Sequence, residues 1–425
     1  MANLTIMDLA EGRGLSCFGK TVDKKGLQNY AQYYIETAGK YFPKGTPKGE
    51  YFPTINSQAG RWEKEEYAHD LQLLSSQLSK LDEPNPEKLK DAFSPDPRLV
   101  ISLSNYCDKN CAHCVSEASV NETEQLTFEN IDTLDRHYFD IFKKVDFGRK
   151  GDPLLWKSEK RDISNVVESL ASNGVNEVTI AAGIFKGREN WYEKITKRLE
   201  DVHNKQKNLN IETMITYHNY FPDMTEEVVA KKFNKTLLGC SRFSDKIIIS
   251  IIGDRFYEDS YVDNVENSFI QNSHIIFEGM ELSGSRKNIT VSNAERSFAL
   301  SIPFTSEAIH PYGRFAKKLK KDKNLKEYTE FFSELVPEPN LCPDPLIWPG
   351  MIVEPNGDIN MCGSFEAIAY PNVSVVSNIL KPYENVEKEL LRFYDKEKKW
   401  FINNFPDIAL RKKTVCKIRN NCYGI

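Results

Sequence analysis

A chain of 425 residues is too long for one ordinary hydrophobic core and implies about two or three domains. Hydrophobic residues make up 40% and charged residues 28%, a globular composition, and a net charge of −5 gives no electrostatic reason to expect nucleic acid or an anionic membrane as partner. No stretch has the apolar length of a spanning helix, and Met1–Gly12 lacks the basic region and apolar run of a secretory signal. The expectation is a cytoplasmic protein with no membrane contact. Nine cysteines in such a chain point to metal or cluster chemistry rather than a disulfide framework.

Residues 1–96 form an opening extension, expected to be mostly helical, with helical patterning over Gln28–Tyr41 and Trp62–Leu81. The proline-rich run Asp82–Pro97 reads as a linker. Strand and helix then alternate. Leu99–Leu103 is a short apolar strand ending at a cysteine loop, Phe128–Phe142 a helix, and Lys144–Phe147 a strand leading into Gly151-Asp152-Pro153. Helix Ile163–Asn173, strand Glu177–Ala181, helix Arg188–Asn204, strand Ile211–Tyr217, helix Glu226–Leu238 and the strongly apolar strand Lys246–Ile252 follow. Ile289–Ser292 and Phe298–Pro303 are later strand candidates. This order predicts a parallel sheet or barrel. The basic run at Lys317, Lys318, Lys320 and Lys321 reads as a solvated helix face.

The segment Cys107-Asp-Lys-Asn-Cys111-Ala-His-Cys114 places three thiols in one tight loop after a strand. Three thiolates can ligate three irons of a cubane cluster and leave the fourth iron open. A structural zinc site, with His113 as fourth ligand, uses the same residues and stays open as an alternative.

The CxxxCxxC spacing after the first strand of a βα repeat resembles the signature of the radical S-adenosylmethionine (SAM) superfamily. The resemblance implies a [4Fe–4S] cluster on Cys107, Cys111 and Cys114 whose open iron is chelated by the amino and carboxylate groups of SAM. It implies reductive cleavage of SAM to methionine and a 5′-deoxyadenosyl radical, which removes a hydrogen atom from a substrate. It also implies a one-electron reductant such as a flavodoxin or ferredoxin. His113 stands where the family often has an aromatic residue, and is expected to pack near the cluster or hydrogen-bond a sulfur. Gly151-Asp152-Pro153 looks like the family's Gly-Gly-Glu-Pro segment, which holds the SAM amino group. Here Asp152 replaces the glutamate and Lys150 the first glycine. Thr216, His218 and Asn219 at the end of the fourth strand, and Ser250 in the fifth, stand where the family places polar contacts to the ribose or methionine.

A second cysteine set lies near the C-terminus. Cys342 is separated from Gly357 by fourteen residues, and Gly357 from Cys362 by four, while Cys416 and Cys422 follow later. Between them, Ile352–Cys362 reads as a hairpin around Pro355-Asn356-Gly357-Asp358. The spacing resembles the opening of SPASM and twitch domains, and His310-Pro-Tyr-Gly313-Arg314 looks like the segment leading into them. Ser377-Asn378-Ile379 resembles the later Gly-Asn-Ile. The resemblance implies an auxiliary [4Fe–4S] cluster on Cys342, Cys362, Cys416 and Cys422, with structural zinc as the alternative. Cys17 and Cys240 belong to neither set, and such lone cysteines are most often small buried hydrophobes.

The architecture implied is a partial parallel (β/α)6 radical SAM barrel at 97–320, a SPASM/twitch-like domain at 321–425 and the extension at 1–96. The function implied is hydrogen-atom abstraction from a peptide or natural-product substrate, followed by oxidation assisted by the auxiliary cluster, as in a radical SAM oxidoreductase or maturase. Oxidation of a small alcohol or sugar-like molecule is the alternative within that class. A non-catalytic protein with two structural zinc sites is the alternative outside it.

Overall fold

The computed structural model describes residues 15–17, 20–22, 84–93, 97–111, 114, 116–218, 224–253, 268–269, 271–285, 288–293, 296–301, 306–308, 350–361 and 375–404. Strands β1 (Leu15–Cys17) and β2 (Lys20–Val22) pair antiparallel as a small separate sheet. Helix α1 (Leu89–Phe93) follows, then β3 (Arg98–Ile101), α2 (Phe128–Tyr138) and β4 (Lys144–Phe147). The short pair β5 (Lys157–Ser158) and β6 (Arg161–Asp162) precedes α3 (Ile163–Ser172). Then come β7 (Glu177–Ala182), α4 (Glu189–Lys205), β8 (Asn210–Tyr217), α5 (Glu226–Ser241), β9 (Lys246–Gly253) and α6 (Ser273–Ile276). Next are β10 (Glu281–Ser285), β11 (Asn288–Ser292), β12 (Ser297–Ser301), β13 (Ser306–Ala308) and β14 (Gly350–Val353). The last described elements are β15 (Asp358–Asn360), β16 (Val375–Asn378) and the long α7 (Tyr383–Asn404).

Twelve strands form one sheet, in the order β10-β11-β12-β9-β8-β7-β4-β3-β14-β15-β16, with β13 also on β9. From β14 through β3, β4, β7, β8 and β9 to β12 every pairing is parallel. Strands β3, β4, β7, β8 and β9 stand where the alternation places them; of the two later candidates, Phe298–Pro303 becomes the parallel strand β12, and Ile289–Ser292 becomes β11, which pairs antiparallel on both sides. The pairings among the described residues run as an open path rather than a closed ring.

Local chemistry explains the helices. Thr127 caps α2 in a capping box: its hydroxyl accepts from the Asn130 N–H at 3.2 Å, and the Asn130 side chain accepts from the Thr127 N–H at 2.9 Å. Asp162 caps α3 in the same way with Asn165, and the Thr225 hydroxyl caps α5. One face of each helix is buried on the sheet. Ile131 and Leu134 come from α2, Val166 and Leu170 from α3, Ile195 and Leu199 from α4, and Phe233 and Leu237 from α5. This is the i, i+3, i+4 spacing of an amphipathic helix. Cys240 ends the α5 stripe, fully buried, and burial pushes its thiol pKa up. It is a core residue.

Three features differ from the sequence reading. The supposed linker 82–97 contains α1, whose Leu89 and Phe93 are 1% exposed and belong to the core. Two apolar residues one helical turn apart outweighed the prolines around them. Helix α7 was not anticipated, although Val386, Leu390 and Tyr394 repeat at four-residue intervals and are buried. It packs near α1, with the Leu89 N–H donating to Glu387, and its Tyr383 ring stacks on His137 at 4.6 Å. Finally, the hairpin expected around Gly357 forms as β14–β15, and β14 continues the parallel sheet through β3. Gly357 takes φ +86°, the left-handed conformation that this turn demands. The expected helices Gln28–Tyr41 and Trp62–Leu81, and the segment 310–316, lie outside the described residues.

The amino ends of the strands are tied together by Asp245. It accepts from the Ile211 N–H at 2.9 Å, lies 3.0 Å from His203 Nε2, and has Arg296 at 3.8 Å. Partial burial works to raise this carboxyl, but the hydrogen bonds from His203 and Ile211 outweigh it and hold the pKa below the ordinary value. A carboxyl depressed on folding adds stability that is complete above its unfolded pKa, about 3.9, and is lost as pH falls through the lower folded value. Asp245→Asn is therefore expected to lower stability at pH 7 and to flatten the acid side of the stability curve. Urea titrations at neutral and acid pH check this; an equal loss at both would rule out the charge as its source.

Candidate active site

Parallel strands end together, so the loops that follow them converge at one edge of the sheet. The loop after β3 carries the three cysteines. It is pinned: Leu126 N–H donates to Leu103 O at 2.9 Å, Asn105 N–H to Glu124 O at 3.0 Å, and Cys107 N–H to Ser119 O at 3.2 Å. Cys107, Cys111 and Cys114 are half-buried and free of disulfides. Between Cys107 and Cys111 the chain turns through Asn110 at φ +52°, a conformation asparagine tolerates, and the Cys114 N–H closes on Cys111 O at 3.3 Å. His218, 5% exposed at the end of β8, brings Nε2 to 3.5 Å from Cys111 Sγ. Ser116 Oγ lies 3.4 Å from Cys114 Sγ. Burial, and then the nearby Asp152 carboxylate, push the Cys107 thiol up to about 12.

The loop after β4 closes against this one. Gly151 has φ +67°, and a Cβ there would lie 2.1 Å from Ser104 O and 2.9 Å from Tyr106 O. The Asp152 N–H donates to Tyr106 O at 3.0 Å. Asp152 itself is 2% exposed and caps the short turn Pro153–Leu155, with Oδ1 accepting from the Leu154 N–H at 3.0 Å. Its Oδ2 accepts from Lys109 Nζ at 2.7 Å and from the Tyr192 hydroxyl at 3.1 Å.

Lys109 lies inside the protein. Its side chain is 3% exposed, and its ammonium donates to Asp152, to Asp108 at 2.5 Å and to the Tyr192 hydroxyl. The stem runs over Gly183, where a Cβ would meet Lys109 Cε at 2.8 Å. The ammonium sits 4.7 Å from the centre of the Tyr192 ring, which in turn stacks on Phe185 at 4.1 Å. Burial opposes a charge on Lys109, but the carboxylates of Asp152 and Asp108 outweigh it and raise its pKa. Burial and the same carboxylates raise Tyr192 too, so it remains a neutral phenol.

A second buried charge group stands beside the first. Glu354, just past β14 and 2% exposed, receives Lys150 at 2.8 Å and the Asn360 amide at 3.0 Å, with Arg149 Nε at 3.8 Å. The hairpin is thereby tied to the loop after β4.

The structure thus brings together Cys107, Cys111, Cys114, Gly151, Asp152, Pro153 and His218 at one edge. Thr216 and Ser250 are register partners across β8 and β9, two residues or fewer from His218 on the β8 side. Asn219, His113, Cys342, Cys362, Cys416 and Cys422 lie outside the described residues. Sequence reasoning missed Lys109, Tyr192 and Glu354. Lys109 could have been noticed for its place inside the cysteine loop, whereas nothing local distinguishes Tyr192 or Glu354.

Three thiols are a soft donor set suited to iron–sulfur chemistry. Among the described residues no three His, Cys, Asp or Glu side chains converge on a single ion. A cubane takes one thiolate at each iron, so it asks for thiols spread around its volume and not gathered at one point. The same loop has buried oxygens without a hydrogen-bond partner among the described residues: Ser104 Oγ, Asn105 Oδ1 and Asp108 Oδ2. Hydroxyl, amide and carboxylate oxygens of this kind can accept from an ammonium or hydroxyl group. The donor set therefore fits a cluster. Among the described residues no helix is long and apolar enough to cross a membrane.

No family model matches the chain, and no curated protein matches it. Among solved structures, SuiB of Streptococcus suis bound to S-adenosylmethionine is similar at 14% identity and a TM-score of 0.38, over 94% of this chain and 88% of that one. SuiB bound to its precursor peptide SuiA gives 13% identity and a TM-score of 0.37, over 84% and 76%. HydG, a maturase of the [FeFe]-hydrogenase, gives 14% and 0.32, over 72% and 63%. Likenesses this low in identity and superposition carry no weight for fold or chemistry.

The close approach at Gly151 has a direct consequence. Gly151→Ala is expected to destabilise the protein by about 2–4 kcal/mol, combining left-handed strain with overpacking against two carbonyl oxygens. The urea midpoint measures it. A change within about 0.5 kcal/mol, ordinary for a surface substitution, would mean that the two loops do not close as described.

Proposed function

We propose that this chain is a radical SAM enzyme that takes a hydrogen atom from a peptide or natural-product substrate. One observation carries the reading: three thiols, free of disulfides, stand in a pinned loop at the carboxyl end of a parallel strand. A [4Fe–4S] cluster on those thiolates, reduced and joined by SAM at its fourth iron, would supply the electron that cleaves SAM to a 5′-deoxyadenosyl radical.

The chain's own residues have distinct parts in this reading. The hydrogen bonds to Ser119, Glu124 and Leu103 hold the loop so that Cys107, Cys111 and Cys114 keep their spacing. His218 stands beside Cys111, where a hydrogen bond to Sγ tunes the thiolate. Each thiol must lose its proton to become a ligand, so loading the loop with iron releases protons. Gly151 and Pro153 bring the second loop against the first, and Thr216, His218, Asn219 and Ser250 are assigned to the ribose and methionine ends of SAM.

The reading extends to an auxiliary cluster on Cys342, Cys362, Cys416 and Cys422 that assists oxidation of the substrate. The spacing of Cys342, Gly357 and Cys362, with a hairpin around Gly357, supports it. Four thiolates satisfy such a cluster, so its part is electron transfer or support of the pocket and not direct substrate binding.

Anaerobically reconstituted, reduced wild-type protein is expected to form 5′-deoxyadenosine from SAM and to hold about eight irons for two cubanes. The triple variant Cys107→Ala, Cys111→Ala, Cys114→Ala is expected to form none and to keep about four irons. Persistent cleavage in the triple variant, or wild-type protein that holds zinc and no sulfide, would defeat the reading.

A further inference from the structure

We propose that Asp152 is a positioning residue whose partner is Lys109, and that this buried pair sets the place of the cysteine loop. The inference rests on the proposed function for the purpose of that loop, and it assigns Asp152 differently from the resemblance, which gives this position to the SAM amino group.

The argument begins with donors and acceptors. An ammonium has three protons, and Lys109 has three oxygen partners: Asp108, Asp152 and Tyr192. A phenol has one proton, and Tyr192 accepts from Lys109 while its own proton faces Asp152 Oδ2 at 3.1 Å and Asp108 Oδ1 at 3.3 Å. Of the roughly four lone-pair sites of a carboxylate, Asp152 uses three, on the Leu154 N–H, Lys109 and Tyr192. All three protons of the Lys109 ammonium are thus taken, and both charged side chains of the pair are nearly inaccessible, 3% and 2% exposed.

The pocket around Lys109 is also built for it. Gly183 leaves room for the stem, and the Tyr192 ring, stacked on Phe185, faces the ammonium. An incoming ammonium that took Asp152 would set a second cation beside Lys109 and leave Lys109 only Asp108 and the Tyr192 hydroxyl. A buried charge that loses a carboxylate partner is unfavourable, whereas a buried pair replaced by uncharged groups on both sides is often tolerated. Lys109 therefore belongs to Asp152 permanently. It lies between Cys107 and Cys111, so the pair nails the cysteine loop to the loop after β4. The Asp152 N–H to Tyr106 O bond adds a second fastening of the same two loops.

The test is a cycle of Lys109→Met, Asp152→Asn and the double variant, read in three ways: urea stability, iron and sulfide per chain, and the change in the electron paramagnetic resonance line of the reduced cluster on adding SAM. Each single variant is expected to lose stability and to retain at least about threefold less iron and sulfide, with the double variant recovering at least about half of the wild-type content, because the two least accessible charges are removed together and the carboxylate that remains, Asp108, is the more exposed one at 10%. The SAM-induced line change is expected to return with it. Three results would overturn the proposal. One is additive stability losses. Another is an insoluble double variant. The third is an Asp152→Asn protein with full iron content but weakened SAM binding that Lys109→Met does not rescue, which would mean direct contact. If wild-type protein holds no iron or sulfide, the proposed function fails, while the stability cycle still judges the pair.

Discussion

Strand β3 hydrogen-bonds in parallel to β4 on one side and β14 on the other, with Ile101 level with both Phe147 and Val353. That double pairing places three loops side by side at one edge of the sheet. The cysteine loop leaves β3, the Gly151 turn leaves β4, and Glu354 leaves β14. Parallel pairing matters because it aligns like ends. An antiparallel neighbour at either position would have put its carboxyl end at the opposite edge. The helices that bury the sheet faces make the arrangement stable, since strands such as β3 and β9 are too apolar to face water.

The three loops are then fastened by charge. Lys109 with Asp152, and Lys150 with Glu354, are two ion pairs buried at the same edge. Buried pairs give little net stability, because desolvation offsets most of the attraction. They do define geometry sharply, since any other placement strands a charge away from water. An edge held in this way suits a site that must keep three thiols in register. The hairpin at Gly357 belongs to the same assembly through Glu354 and Asn360, so the part of the chain that carries the second cysteine spacing is joined to the first site by backbone pairing and by a buried carboxylate.

The strands and helices of the sheet were legible because their signals are local. β4 was expected at Lys144–Phe147 and stands there, and α2, α3 and α5 begin at the residues their caps mark. The cysteine loop was legible because its three thiols lie within eight residues of sequence. Helix α7 carried an equally local signal in Val386, Leu390 and Tyr394, hidden by the charged residues between them. The segment 82–97 misled because prolines mark boundaries without saying whether the short stretch between them is buried.

By itself the sequence determined the alternation of elements, the turn at Gly357 and the presence of a three-thiol loop after the first parallel strand. Each depends on neighbours a few residues apart, whose periodicity or spacing is visible in one dimension. Only the tertiary structure decided what Asp152 touches. Its partners Lys109 and Tyr192 lie 43 and 40 positions away, and they meet it because parallel pairing brings the loops after β3 and β4 and the first turn of α4, which follows β7, to one edge. A carboxylate in a Gly-Asp-Pro turn reads as a free acceptor until the fold supplies the buried cation that occupies it.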